Sequence, residues 1–136
     1  MIFSQNFSKE FIKFMYDSKG IGLAANQIGI DAAVVVVLIK QKPLILINPK
    51  ITEFSEIKFC HKEGCLSYPG LFLNIKRPTW VVVEYQDSAG NINQIRIEGY
   101  LARCFLHEFD HLEGICFVDR VSQLKLQLAM KKLRKK

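Results

Sequence analysis

The pattern of hydrophobic and polar positions predicts helices at both ends of the chain. Residues 7–18 repeat apolar side chains at helical spacing, namely Phe7, Phe11, Phe14 and Met15. From residue 100 onward, apolar positions at 101, 105, 109 and 112 predict a second helix, which Gly114 ends. A third helix is predicted at 122–134.

The middle of the chain has the composition of β-strands. The valine-rich run at 32–39 predicts a buried strand, and "LILIN" at 44–48 predicts another, which Pro49 ends. Further strands are predicted at 56–62, at 71–75 and in a hairpin over 80–97. Two segments are predicted to be loops, the glycine-containing stretch at 20–29 and "EGCLSYPG" at 63–70.

This order of elements indicates an α+β fold with a mostly antiparallel sheet, because helices do not alternate with strands. A chain of 136 residues suits a single domain, 1–136, with one hydrophobic core. The start lacks the features of a signal peptide, and the longest apolar run, 32–39, is too short to span a bilayer. We therefore expect a soluble, intracellular protein whose four cysteines are reduced.

The positive charge is concentrated at the C-terminus. The net charge is +6, and the tail at 131–136, "KKLRKK", holds five of the 19 basic residues. The remaining 14 basic residues nearly balance the 13 acidic ones. Such a tail can attract phosphate-rich partners, and it can equally be the solvated end of a helix.

The segment "HEFDH" at 107–111 carries the clearest chemical signal. Residues four apart lie on the same face of a helix, so His107 and His111 can bind one metal ion. Glu108 would flank that ion, where a carboxylate can act as a general base on water. The alternative is a solvated polar helix face.

A catalytic metal site normally has a third protein ligand and one position open to water. His61 and the cysteines are the candidates. Cys65 is favoured because it follows a glycine in a loop of small residues, whereas the other cysteines fit packing positions.

Three segments together resemble the signature of the peptide deformylase family. They are "GIGLAANQ" at 20–27, "EGCLS" at 63–67 and "HEFDH" at 107–111, and "INP" and "LEGICFVDR" also match. The resemblance extends over residues 14–120. It implies antiparallel sheets packed around a central helix that carries the HExxH motif, with a further helix at the C-terminus.

The resemblance implies an enzyme that removes the N-formyl group from the initiator methionine of nascent polypeptides. It implies a metal site of Cys65, His107 and His111, with metal-bound hydroxide attacking the formyl carbon and Glu108 as general base and acid. It also implies that the side-chain amide of Gln27 and the backbone N–H of Leu66 stabilise the oxyanion. Fe²⁺ is expected in the cell, although thiolate and imidazole ligands alone would suggest zinc. A purified sample could instead hold Zn²⁺, Ni²⁺ or Co²⁺.

The resemblance further implies a pocket for the methionine side chain beside the metal helix. Its expected residues are Ile21, Gly22, Glu63, Gly64, Tyr100, Arg103 and Cys104. Gly22 and Gly64 would let the backbone approach the substrate closely. Because a buried arginine needs a partner, we expect Arg103 to pair with Glu63, which leaves its aliphatic stem to line the pocket. Asp110 is expected to anchor the helix through polar contacts.

Fewer residues precede the first motif than in typical relatives, as in compact, bacteriophage-type members, or because the start is incomplete. The expected location is the cytoplasm of a bacterium, or of the bacterial host of a phage. We expect a monomer without membrane association. For the basic tail two interpretations stay open, contact with ribosomal RNA and a solvated helix end, of which the second is the more common. The alternatives are an HExxH metallopeptidase, which usually has a third ligand downstream of the helix, and a catalytically silent ribosome-binding or RNA-binding module.

Overall fold

The structure, a computed structural model, describes residues 5–17, 22–65 and 68–135. Its helices are α1 (Gln5–Asp17), α2 (Gly99–Leu112) and α3 (Gln123–Arg134). Its strands are β1 (Gly22–Ala24), β2 (Val34–Ile39), β3 (Lys42–Phe54), β4 (Lys58–Cys65), β5 (Tyr68–Pro78), β6 (Trp80–Gln86) and β7 (Ile92–Glu98). Two short 3-10 turns lie at Ala25–Ile28 and Phe117–Arg120.

The strands form two antiparallel sheets. A five-stranded sheet has the order β1-β2-β3-β6-β7, and β4 pairs with β5 in a separate two-stranded sheet. This arrangement confirms the predicted α+β class and the hairpin of β6 and β7. None of the helices in the described ranges has the length and hydrophobicity needed to cross a membrane.

The valine run of β2 is buried on both faces of the five-stranded sheet. Successive side chains of a strand point to opposite faces. Val35 and Val37 belong to the core cluster that contains Phe105 of α2, whereas Val34 and Val36 belong to the cluster that contains Met15 of α1. Helices α1 and α2 therefore cover opposite faces, which explains why β2 does not alternate with polar residues.

A third cluster joins the two-stranded sheet to α3. Leu71, Leu73 and Ile75 of β5 are buried with Phe117, and Leu133 of α3 packs against them. Ser122 begins α3 as its N-cap, because its hydroxyl accepts a hydrogen bond from the backbone N–H of Lys125. The basic tail is thus attached to the core through one of its own residues.

Two predictions about the strands were wrong. Pro49 does not end β3, because a register shift between Ile47 and Lys50 accommodates a residue that has no N–H for the ladder. Within that bulge Asn48 has a positive φ of 50°. The predicted loop at 63–70 is largely β-structure, since β4 continues to Cys65 and β5 begins at Tyr68.

Candidate metal centre

Helix α2 and the end of β4 bring three metal-ligating side chains together. His107 and His111 lie one helical turn apart, and their ring centroids are 5.1 Å apart. Cys65 Sγ lies 3.5 Å from His111 Nε2. One ligand atom from each of the three residues lies within 4.8 Å of the others. A sulfur and two imidazoles at such distances can bind a single cation.

His61, the other candidate ligand, lies outside this cluster. It is exposed on β4, and its ring is 6.4 Å from that of Tyr100. Among the residues that the structure describes, the group of Cys65, His107 and His111 is the one with metal-binding geometry.

Glu108 lies beside the cluster and is almost completely buried. Its Oε1 is 4.0 Å from His107 Nε2, and its Oε2 has no hydrogen-bond partner among the described residues. Burial raises the pKa of Glu108 to about 7, although the two histidines and the backbone of Ala24 favour its charged form. Glu108 can therefore both accept and return a proton near neutral pH.

The charges of the cluster also favour a cation. Burial opposes protonation of His107, yet its contacts with Cys65 and Glu63 raise its pKa to about 9. Cys65 and Glu108 thus favour positive charge at His107, whereas Glu63 is also paired with the buried Arg77 and Arg103. This donor set, together with the unpaired oxygen of Glu108, fits a divalent metal ion.

Gln27 faces the same place from the turn after β1. The backbone N–H of Ala24 donates to Gln27 Oε1 over 2.9 Å, which fixes the orientation of the amide. Its Nε2 is consequently directed toward the centre, 4.0 Å from Cys65 Sγ. Two predicted site residues, Ile21 and Leu66, lie outside the described residues.

Behind the histidines lies a buried network of charges. His107 Nδ1 is 3.0 Å from Glu63 Oε1, and Arg103 donates to the same carboxylate, as the sequence predicted. Arg77, which the sequence analysis missed, donates to both oxygens of Glu63 at 2.6 and 2.9 Å. Burial alone would raise the pKa of Glu63, but the hydrogen bonds from His107 and Arg77 lower it to about 2.

Asp110 belongs to this network and not to the metal cluster. It accepts hydrogen bonds from Arg77 at 2.8 Å and from Arg120 at 2.6 and 3.0 Å. The expected anchoring role of Asp110 is therefore confirmed. Arg77 had a detectable signal in the sequence, because it continues the alternation of Leu71, Leu73 and Ile75 on the inward face of a strand.

A cavity of about 680 Å³ opens in front of the cluster. All of the predicted site residues that the structure describes line it, except His111. The lining also includes His61, Lys62, Tyr68, Pro69, Gly70, Leu71 and Phe72, which the sequence analysis did not assign to the site. These residues reach the cavity because β4 pairs with β5. The prediction of a loop over "EGCLSYPG" did not include this pairing.

Three predicted pocket residues lie on the α2 side of the cavity. Tyr100 is 60% exposed at its edge, whereas the guanidinium of Arg103 is turned away toward Glu63 and the carbonyls of Ile75 and Phe59. Burial raises the pKa of Cys104 to about 12, so that its thiol stays neutral. This wall can accept an apolar side chain.

The two predicted glycines are in close contact with other parts of the protein. A Cβ at Gly22 would lie 3.0 Å from Glu108 Cγ, and a Cβ at Gly64 would lie 2.7 Å from the ring of Phe72. The absence of a side chain at Gly22 therefore leaves room for Glu108. The sequence had predicted a different role for this glycine, namely close approach of the backbone to the substrate.

The fold and the site have the features of an HExxH metalloprotein whose third candidate ligand is an upstream cysteine. The polypeptide deformylase family model matches residues 3–127, and the chain belongs to this family. A peptide deformylase from Zymomonas mobilis is 40% identical over 98% of this chain and 82% of its own length.

Other relatives agree in fold and sequence. A crystal structure of a peptide deformylase from Synechococcus elongatus in complex with actinonin has a TM-score of 0.87 and 43% identity, covering 94% of this chain and 71% of that chain. A peptide deformylase from Prochlorococcus marinus strain MIT 9515 is 44% identical over 95% of this chain. The chain spans 66% of the length of that relative and 60% of the relative from strain AS9601.

Proposed function

We propose that this protein is a peptide deformylase, which hydrolyses the formyl amide on the initiator methionine of nascent polypeptides. The observation that carries the proposal is the grouping of Cys65, His107 and His111 within 4.8 Å, with the buried Glu108 beside them at the wall of a large cavity. Family membership supports the same reaction.

Cys65, His107 and His111 would hold one divalent ion, Fe²⁺ in the cell and Zn²⁺, Ni²⁺ or Co²⁺ in some purified samples. When bound, the ion would act as a Lewis acid that polarises the formyl carbonyl and lowers the pKa of water. The geometry of the cluster supports this assignment without distinguishing one metal from another.

Glu108 moves the proton in the proposed reaction. It takes a proton from the attacking water and later gives it to the nitrogen of the leaving amine. Burial raises the pKa of Glu108, and a cation beside it would lower that pKa again, so the carboxylate that accepts the proton is the form present before attack. Its Oε2, which lacks a protein partner among the described residues, is available to the reacting atoms.

Gln27 and Leu66 are proposed to stabilise the oxyanion. The amide of Gln27 is oriented in advance by Ala24, so its Nε2 can donate without rearrangement. The backbone N–H of Leu66, which follows Cys65, is proposed as the second donor.

The methionine side chain is proposed to lie in the cavity between β4 and α2. The proposed lining residues are Ile21, Gly22, Glu63, Gly64, Tyr100, Arg103 and Cys104. The neutral thiol of Cys104 supports an apolar pocket there, and Glu63 contributes mainly by retaining the charges of Arg103 and Arg77 at the back of the site.

The test is hydrolysis of formyl-Met-Ala after anaerobic loading with Fe²⁺, compared with cleavage of the unformylated dipeptide. We expect formate release from the first substrate, no peptide cleavage of the second, and loss of formate release in Cys65→Ala. Actinonin, the ligand of the Synechococcus relative, should inhibit by occupying the same cavity. Peptide-bond cleavage without deformylation would instead support a metallopeptidase.

We further propose that the whole chain, 1–136, is one catalytic domain. It acts as a monomer in the cytoplasm.

We also propose that the basic tail contacts the ribosome. Binding of lysines to rRNA phosphates should weaken steeply as salt rises. Because Leu133 packs against β5, truncating the tail would also disturb the core. The better test is cosedimentation with ribosomes after changing all five basic residues of the tail to Gln, namely Lys131, Lys132, Arg134, Lys135 and Lys136. Unchanged cosedimentation would exclude tail-mediated binding.

A further inference from the structure

The structure contains a continuous path of buried charged contacts from the C-terminal end of α2 to the first histidine. Arg120 binds Asp110, Asp110 binds Arg77, Arg77 binds Glu63, and Glu63 binds His107 Nδ1. The side chains of Asp110, Arg77 and Glu63 are 5–6% exposed, whereas that of Arg120 is 43% exposed. Among these four side chains, Arg120 at the outer end of the path is the one with substantial exposure to solvent.

Arg77 has a special place in this path because it binds two acids with one planar guanidinium. Its Nε and Nη2 hold both oxygens of Glu63, and its Nη1 holds Asp110. Arg103 also binds Glu63, but its other donors go to the backbone carbonyls of Ile75 and Phe59. Arg103 of α2 holds one oxygen of Glu63, whereas Arg77 holds both oxygens and so fixes the plane of the carboxylate.

The orientation of Glu63 in turn decides how His107 can bind a metal. An acceptor at Nδ1 keeps the proton on that nitrogen and leaves Nε2 as the ligand atom. His107 Nε2 is the ring nitrogen on the side of Glu108, 4.0 Å from its Oε1. The path of charges therefore ends at Nδ1 and leaves the opposite ring nitrogen, Nε2, facing the reacting side of the site.

We propose that Arg77 is a positioning residue of the metal centre. By holding the Glu63 carboxylate with two parallel hydrogen bonds, it fixes the tautomer and the ring orientation of His107. Asp110 holds Arg77 from the other side, and Arg120 in turn holds Asp110. The proposal rests on the proposed metal site at Cys65, His107 and His111.

The test substitution is Arg77→Lys, which keeps the charge but cannot hold both oxygens of Glu63 and Asp110 at once. We expect about 10–100-fold weaker Zn²⁺ binding, the range typical for partners of metal-bound histidines. Binding is measured by competition with a chromophoric chelator. The tautomer of His107 is read from long-range ¹H–¹⁵N spectra of the Zn²⁺-loaded protein, where a mixture should replace the single Nδ1–H form.

The matched control is Arg96→Lys, the same substitution at an exposed pair with Glu98 on β7. It should leave Zn²⁺ affinity and the His107 signals unchanged. A folded Arg77→Lys protein with wild-type affinity and a single tautomer would overturn the proposal. Should Arg77→Lys not fold, Glu63→Gln replaces one of the two acceptor oxygens that Arg77 holds by an amide nitrogen, which cannot accept. Wild-type Zn²⁺ affinity and a single His107 tautomer in that variant would show that the two parallel hydrogen bonds are not needed, and would overturn the proposal equally.

These measurements need no turnover. A wild-type protein that binds Zn²⁺ but does not release formate would refute the proposed function and leave the test of Arg77 valid. Conversely, deformylation that persists with an unchanged His107 tautomer in Arg77→Lys would refute only the positioning role.

Discussion

At the scale of single residues, Glu108 shows how burial prepares a carboxyl group for proton transfer. An exposed glutamate would be ionised near neutral pH, whereas burial raises the pKa of Glu108 to about 7. The sequence could predict the position of Glu108 relative to His107, because consecutive residues of an α-helix are rotated by about 100°. The burial of Glu108 could not be predicted, because part of its surroundings is β1, which ends 84 residues earlier in the chain.

Replacement of Glu108 should separate metal binding from catalysis. In Glu108→Ala, we expect kcat for formyl-Met-Ala to fall by about 10²–10⁴-fold, the contribution typical of a general acid–base group. Metal content should stay at one ion per chain, because Cys65, His107 and His111 remain. The measurements are steady-state kinetics and metal analysis of the same sample, and a variant that loses both would assign Glu108 to the ligands instead.

Replacement of Gln27 should affect the transition state more than substrate binding. In Gln27→Ala, we expect a fall in kcat of about 10²-fold or more with KM nearly unchanged, as for other oxyanion donors. The neighbouring Asn26→Ala is a useful comparison, because Asn26 donates to the carbonyl of His111 and not toward Cys65. An effect of Gln27→Ala on KM alone would assign the amide to ground-state binding.

At the scale of elements, the two glycines show how closely β1 and β4 approach their neighbours. A methyl group at Gly22 would contact Glu108, and one at Gly64 would contact Phe72 on the paired strand β5. The consequences should differ, because Glu108 is buried whereas the Phe72 side chain is 54% exposed and can move.

We therefore predict that Gly22→Ala mainly lowers activity, whereas Gly64→Ala mainly lowers stability. Gly22→Ala should displace Glu108 and lower kcat by about 10²-fold, the effect expected for a misplacement near 1 Å. Gly64→Ala should mainly lower the free energy of unfolding, by only about 1 kcal/mol because the exposed Phe72 ring can move, and an added Phe72→Ala should restore it. Kinetics and urea denaturation of the three variants would check both statements, and equal losses of activity would contradict them.

The elements also show which parts of the fold the sequence could predict. Local signals were sufficient for α2 and α3, where apolar spacing and the terminal residues Gly114 and Ser122 agree with the structure. They were insufficient for β3 and β4, because a bulge at Pro49 and the pairing of Gly64 with Phe72 depend on the neighbouring strand. Arg77 was missed for a local reason, because the predicted strand ended at Ile75 whereas β5 continues to Pro78.

At the scale of the whole molecule, the candidate ligands come from different structural units. Cys65 ends β4 of the two-stranded sheet, whereas His107 and His111 lie on α2, which packs on the five-stranded sheet through Phe105. A bound cation would therefore link the two-stranded sheet to α2, and through α2 to the five-stranded sheet. Such an ion contributes to stability as well as to the site, because it binds the folded state preferentially.

Removal of the metal should consequently loosen the two-stranded sheet. At a free Zn²⁺ concentration about 1,000 times the Kd, we expect about 4 kcal/mol of added stability, seen as a higher Tm. Amide hydrogen exchange in β4 and β5 should accelerate after chelation, while β2 and β3 remain protected. The variant His111→Ala should show no response of Tm to Zn²⁺, and an equal response in both proteins would point to binding elsewhere.

The hydrogen bond from Asn26 to the carbonyl of His111 joins residues 85 positions apart. Closing so long a segment is entropically unfavourable until the intervening strands are in place. Asn26 and the end of α2 can therefore form a stable contact only when almost the entire polypeptide has adopted its native arrangement. During refolding, recovery of enzymatic turnover would report completion of the tertiary structure, whereas circular dichroism would register its helices and strands.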